Sequence, residues 1–163
     1  MPPPLNLNPA ELDHTHVIAD KEAIRAINPQ RFEMEMIDAI IFEDTTVPMV
    51  GGYKDVRHDE FWVKGHMPGF PLMPGVLMCE AAAQISAFHI MKHKLLDCDF
   101  VGFGGMAEVR FRASVYPGQR FVLVSKVVKL HRKQVIAHVQ GFVESTMVFH
   151  GDIIGIPMKN PGG

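Results

Sequence analysis

Two residues of the kind that move protons, His66 and Glu80, fall within one short stretch of this chain, HMPGFPLMPGVLMCE, residues 66 to 80. From Val76 to Met91 the sequence is almost wholly apolar, and its only strongly polar side chains before His89 are Glu80 and Gln84. A four-residue spacing puts those two on one face of a helix. A carboxylate surrounded by apolar side chains is costly to ionise, which suits a general acid or base. On spacing alone a second reading stays open, in which a Glu and a Gln merely decorate a wet helix face. The preceding loop favours chemistry. Pro68, Pro71 and Pro74 stiffen it, and a catalytic histidine has to be held in place. A helix beginning at Pro74 or Gly75 offers unpaired N–H groups and the positive end of its dipole, and Gly75 lets a carbonyl oxygen approach closely. Histidine, acid and oxyanion donor then lie in one segment, arranged as a proton-transfer pair.

Those residues need a frame. Pro74 fits a helix start, and the apolar run predicts a central helix to about Lys92 or Leu96. Asp20 caps a short helix over residues 20 to 27, stopped by Asn28-Pro29. Alternation predicts a strand from Phe32 to Phe42, with a weaker one over 46 to 58. Gly102 to Gly105 reads as a flexible loop at a pocket mouth. Four strand-like stretches follow, AEVRFRASV, RFVLVSKVVKL, QVIAHVQGFVES and TMVFHGDIIGI, and their short turns predict an antiparallel meander. In the third, Val135, Ala137, Val139, Gly141 and Val143 share a face. The class is α+β, an antiparallel sheet wrapped round one long central helix that is apolar on nearly all sides. Residues 1 to 20 read as a poorly ordered N-terminal extension and 21 to 163 as a single domain.

Composition removes other classes. A formal net charge of -2 argues against a nucleic-acid binder. Cys79 and Cys98 make no disulfide framework or metal knuckle, which predicts a reducing, cytoplasmic setting. The Pro-rich start is no signal peptide, and no apolar run is long enough for a membrane span. VGFGGM, residues 101 to 106, lacks the third glycine of a dinucleotide fingerprint. Cys79 reads as core filler. His89 and His93 share a helix face and could hold a metal, but catalytic zinc needs three protein ligands and no third presents itself. The expectation is no metal. His14 and His16, in the extension, have less claim still.

The pattern H-x-P-G-x-P-x-M-P-G-V-L-x-x-E-A-x-A-Q in residues 66 to 84 closely resembles the motif of the 3-hydroxyacyl-acyl-carrier-protein dehydratases of FabZ type. The likeness extends to Gly65, Arg110-Phe111-Arg112 and Pro117-Gly118, and covers roughly residues 22 to 150. The sequence departs from the family at Asn28-Pro29-Gln30-Arg31, where Leu-Pro-His-Arg is usual, and at Gln119, where aspartate is usual. The resemblance implies a hotdog fold, a homodimer as catalytic unit, and often a trimer of dimers. It implies catalytic roles for His66 and Glu80, with the Gly75 N–H polarising the thioester carbonyl. Glutamate at 80, where the isomerising FabA branch has aspartate, implies dehydration without isomerisation. Gly75, Val76, Gln84 and Phe70 are the expected substrate contacts, with Gln84 also orienting Glu80. No cofactor is expected, because the thioester itself stabilises the developing charge. An acidic acyl carrier protein is the expected partner, docking on Arg110, Arg112, Arg132 and Lys133. Two alternatives are a thioester hydrolase on the same fold and a non-catalytic acyl-carrier or lipid binder.

Overall fold

A computed structural model describes residues 1–162. Six strands form one antiparallel sheet: β1 (Ala39–Asp44), β2 (Met49–Asp55), β3 (Phe100–Phe111), β4 (Arg120–His131), β5 (Gln134–Val143) and β6 (Thr146–Met158). A short helix, α1 (Lys21–Arg25), precedes them, and the central helix, α2 (Gly75–Lys92), falls between β2 and β3. The spatial order is β1-β2-β4-β5-β6-β3. Helix α2 packs against β2 through β6, so the sheet wraps it, which is the hotdog architecture.

The local signals act as their chemistry requires. The Asp20 side chain accepts from the Ala23 N–H and starts α1. Pro74 precedes the first turn of α2, where a missing N–H costs nothing. Helix α2 buries Met78, Cys79, Ala81, Ala82, Ile85 and Phe88 against Val50, Phe121, Leu123, Val139 and Phe149 of the sheet. Burial pushes the Cys79 thiol up, as expected of a core cysteine.

Four expectations change. Strands β4, β5 and β6 form a meander, but β3 pairs with β6 at the far edge, so the Pro117-Gly118 turn joins strands that are not neighbours. Gly102 to Gly105 lie inside β3 rather than in a loop. They interrupt its pairing with a bulge between Phe103 and Gly105. The predicted strand from Phe32 begins only at Ala39, and Phe32–Met34 make a 3-10 turn. Finally, residues 1 to 20 are built into the molecule. Strands β1, β2 and β4 are apolar on both faces, and their outer face carries a second core of Ala39, Ile41, Met49, Tyr53, Val122 and Val124. Leu7 and Leu12 of the N-terminal arm cover it. Asn6 fastens the arm to β5: its N–H donates to Gln140 Oε1 at 2.8 Å and its side chain to the His138 carbonyl at 3.0 Å. Ala19 is held by a bridge to Ile40.

Candidate active site

His66 is fixed by its own loop. Its N–H donates to the Trp62 carbonyl at 2.8 Å, and its carbonyl accepts from the Leu72 N–H at 2.9 Å. Its Nδ1 lies 2.8 Å from the Leu72 carbonyl oxygen. A carbonyl can only accept, so in the neutral ring Nδ1 carries the proton and Nε2 keeps a free lone pair. That is the tautomer a general base requires. The loop is tied down again where the Met73 N–H donates to the Val115 carbonyl at 2.7 Å. The His66–Met67 peptide is cis.

Glu80 sits on the second turn of α2, half-buried. Its Oε1 accepts from Gln84 Nε2 at 2.7 Å. The same amide donates to the Met34 carbonyl at 2.7 Å, and Gln84 Oε1 accepts from the Met36 N–H at 2.9 Å. Asn28 Nδ2 donates to the Gln84 backbone carbonyl at 3.0 Å. Gln84 was expected both to orient Glu80 and to touch substrate. At 3% exposed and with its amide fully engaged, it is placed for the first task and has no face for the second. Asn28, at one of the positions that depart from the family pattern, supports this network. The contacts of Gln84 with Met34 and Met36 follow from no local signal in the sequence.

An apolar cavity begins at Glu80 and runs along α2. It is lined by Ala83, Ser86, Ala87 and Ile90 from the helix and by Val101, Phe103, Val135, Ala137 and Ile153 from the sheet. Its one polar helix group beyond Glu80 is turned away: the Ser86 hydroxyl is paired with Ser125 Oγ at 2.7 Å and with the Ala82 carbonyl at 2.7 Å. His66 is not among these lining residues. Gly75 and Val76 line a different hollow, at the start of α2, with Leu72, Phe111 and Arg112. Among the described residues no side chain caps α2. Phe111, which sequence reasoning did not single out, lies over Gly75 so closely that a Cβ there would come within 2.9 Å of its ring. Phe70 and Val76 are exposed.

The four expected docking residues separate into two pairs. Arg110 pairs in register with His150, and Arg112 lies beside it, its guanidinium against His150 Nε2 at 3.0 Å. Arg132 and Lys133 occupy the β4–β5 turn, beyond Val135, whose β6 partner is Gly155. The five residue steps from His150 to Gly155 span roughly 17 Å of strand. Of the four, only Arg112 lines the hollow at Gly75.

A separate acid–histidine group corrects the expectation that His89 and His93 have no companion ligand. Glu43 of β1 reaches both, with Oε1 3.1 Å from His89 Nδ1 and 2.9 Å from His93 Nε2. Burial pushes the Glu43 carboxyl up, and hydrogen bonds from Lys92, His93 and His89 outweigh it, so the group stays below the usual carboxylate range.

Comparison with known proteins identifies the family. The family model described as a FabA-like domain matches residues 28–152. The 3-hydroxyacyl-[acyl-carrier-protein] dehydratase FabZ of Moorella thermoacetica is 33% identical over 135 residues, covering 83% of this chain and 94% of that protein. The FabZ of Clostridium botulinum is 39% identical over 110 residues, covering 67% of this chain and 78% of its own. Among solved structures, the dehydratase heterocomplex ApeI:P from Xenorhabdus doucetiae superposes with a TM-score of 0.67 at 15% identity, covering 82% of this chain and 90% of that one. A sigma28-regulated virulence protein from Campylobacter jejuni gives a TM-score of 0.64 at 18% identity, covering 90% and 95%. The two structures speak to the fold, and the sequence matches to descent: the chain belongs to the FabA-like family, alongside the 3-hydroxyacyl-acyl-carrier-protein dehydratases of FabZ type.

Proposed function

We propose that this chain removes water from 3-hydroxyacyl thioesters carried on acyl carrier protein, giving trans-2-enoyl thioesters for fatty-acid or related acyl-chain synthesis. The observation that carries the reading is Glu80, held by Gln84 at the head of an apolar cavity that follows α2 as far as Ile90. An acyl chain in that cavity would present its C3 hydroxyl to the carboxyl. His66 Nε2 takes the C2 proton. The C2–H electrons become the C2=C3 bond, the C3–O bond breaks, and Glu80 gives its proton to the departing oxygen, so that water leaves. The Gly75 N–H, at the uncapped start of α2, steadies the negative oxygen of the thioester in between. A proton returned from His66 to Glu80 resets the pair.

His66 is not among the residues that line the cavity beginning at Glu80, which supports a site completed by a second copy. Edge strand β3, with Phe103, Met106 and Phe111 exposed, is where a two-fold partner would pair. The cytoplasm is the expected compartment; no helix among the described residues is long and apolar enough to cross a membrane.

The test is incubation of the enzyme with 3-hydroxyacyl carriers, read by mass spectrometry for loss of water. His66→Ala and Glu80→Gln should each lower turnover ~10²–10⁴-fold with the fold intact. Wild-type rates in either variant would sink the mechanism, and free thiol without dehydration would point to a hydrolase.

A further inference from the structure

Glutamates near the end of a strand usually face water, and strict alternation would send Glu43 there. Ile40 points inward, into the core beneath α2. Counting by twos from Ile40, Phe42 should follow it inward and Glu43 should turn out. The opposite is found. The pairing of β1 with β2 slips between Ile40 and Phe42, where one residue is left over. This bulge sends both Ile41 and Phe42 to the outer core and turns Glu43 in towards the helix. There it meets His89 in the last turn of α2 and His93, the residue that caps the helix C-terminus. The side chains are 9% exposed for Glu43, 2% for His89 and 26% for His93, so the cluster is closed except on the His93 side.

We propose that Glu43, His89 and His93 bind one divalent cation of borderline softness, zinc in the first instance, between β1 and the C-terminal end of α2. Two imidazoles and a carboxylate are a donor set that suits zinc, with the fourth position left to water on the exposed side of His93. The three donor atoms lie within 4.8 Å of one another. Bond lengths of 2.0–2.2 Å and tetrahedral angles set ligand atoms about 3.4 Å apart. The two carboxylate–imidazole distances, 3.1 and 2.9 Å, need to widen by only a few tenths of an ångström. Ligation through His89 Nδ1 and His93 Nε2 moves each imidazole proton to its other nitrogen, as metal-bound histidines require. Lys92 is the one competitor. Its ammonium holds Glu43 Oε2, the oxygen that does not face the histidines, and its charge opposes a dication. At 33% exposed it can swing to solvent. His89 stands nine residues beyond Glu80, about 13 Å along the helix, so the ion takes no part in the proposed dehydration. Its role is to fasten β1 to the helix end, one residue from Ile90 at the far end of the apolar cavity.

The test uses the full chain, stripped with chelator and then titrated with zinc by calorimetry. The expected result is one zinc per chain and a higher melting temperature with zinc than without. Cobalt in its place should show the visible bands of tetrahedral coordination. His93→Ala and Glu43→Gln should each weaken zinc binding by at least ~10–100-fold. Lys92→Met should tighten it several-fold, an outcome that a simple hydrogen-bonded cluster would not produce. His93 is partly exposed, so its variant is expected to fold, and circular dichroism checks that it has. Absence of zinc binding at 100 µM to wild type and to Lys92→Met would overturn the proposal. So would binding that survives both His93→Ala and Glu43→Gln, which would place the ion elsewhere.

Discussion

Replacing Gln84 with methionine keeps the volume of the side chain and removes all of its hydrogen bonds. Three are lost: the donation to Glu80, the donation to the Met34 carbonyl and the acceptance from the Met36 N–H. Met36 is fully buried, so its N–H is orphaned, and such a group costs about 1–3 kcal/mol. Met34 is exposed and its carbonyl can turn to water, so that loss is nearer the net value of one bond, about 1 kcal/mol. The sum is about 2–4 kcal/mol, or a fall of roughly 4–16 °C in melting temperature for a domain of this size. The catalytic effect is separate. With its tether gone, the Glu80 carboxyl samples several rotamers, and kcat should drop ~10–100-fold while KM stays near wild type, since Gln84 presents no surface to substrate. Asn28→Ala is the control. It removes the bond to the Gln84 backbone carbonyl and leaves the amide in place, so it should lower the melting temperature and spare kcat. The assay is steady-state hydration of a trans-2-enoyl thioester beside thermal unfolding, for all three proteins. If Gln84→Met melts early yet keeps its kcat, Gln84 is structural only. If KM rises at constant kcat, it touches substrate after all. Either result refutes the positioning role.

Mixing His66→Ala with Glu80→Ala subunits tests whether sites are shared. Random exchange makes half the dimers mixed, each with one intact site of two, so about a quarter of wild-type activity should return; no recovery after exchange verified by mass spectrometry would exclude sharing. Reversing charge at Arg110 and Arg112 together should raise KM for carrier-bound substrate and leave a coenzyme A thioester nearly unaffected, with Arg132 and Lys133 mattering less because they lie at the other end of the sheet; equal effects on both substrates would remove the docking role. The Arg25 guanidinium grips the Glu35 carboxyl and holds it below the usual 4.5. A depressed carboxylate contributes its stability above the unfolded value and loses it as pH falls through the folded one. Melting temperature should therefore fall more steeply below pH 4.5 for wild type than for Glu35→Gln, and parallel curves would contradict the assignment.

What could be read in advance was whatever local chemistry determines. The start of α2 needs only Pro74 and Gly75, its end only the exhaustion of the apolar run, and α1 only Asp20. The pairing of Glu80 with Gln84 follows from one turn of helix. Other features depend on contacts between distant parts of the chain. Valine-rich β4 is apolar on both faces, which implies that something covers the outer one, but nothing in Leu7 or Leu12 says that the arm does it. The order of strands was hidden because Pro117-Gly118 reads as a hairpin turn, whereas the eight residues 112 to 119 carry the chain from β3 across to β4. Glu43 was invisible as a companion of His89 because a bulge reverses the alternation from which its direction would be read. Phe111 was read only as part of a charged triplet, between two arginines, although its ring covers Gly75.

The position of β3 also bears on how the protein is made. Strand β3 leaves the ribosome before β4, β5 and β6, and its one pairing partner is the last of them. The 47 residues from Phe111 to Met158 take about 2–9 s to synthesise, and for that interval β3 has no ladder to join. One wall of the apolar cavity, with Val101 and Phe103 of β3 beside Ile153 of β6, exists only once β6 has been made. A stop codon before Thr146 would therefore delete one strand and strand a second, leaving α2 uncovered on that side. Chains released there should be captured by chaperones far more often than chains released after Met158.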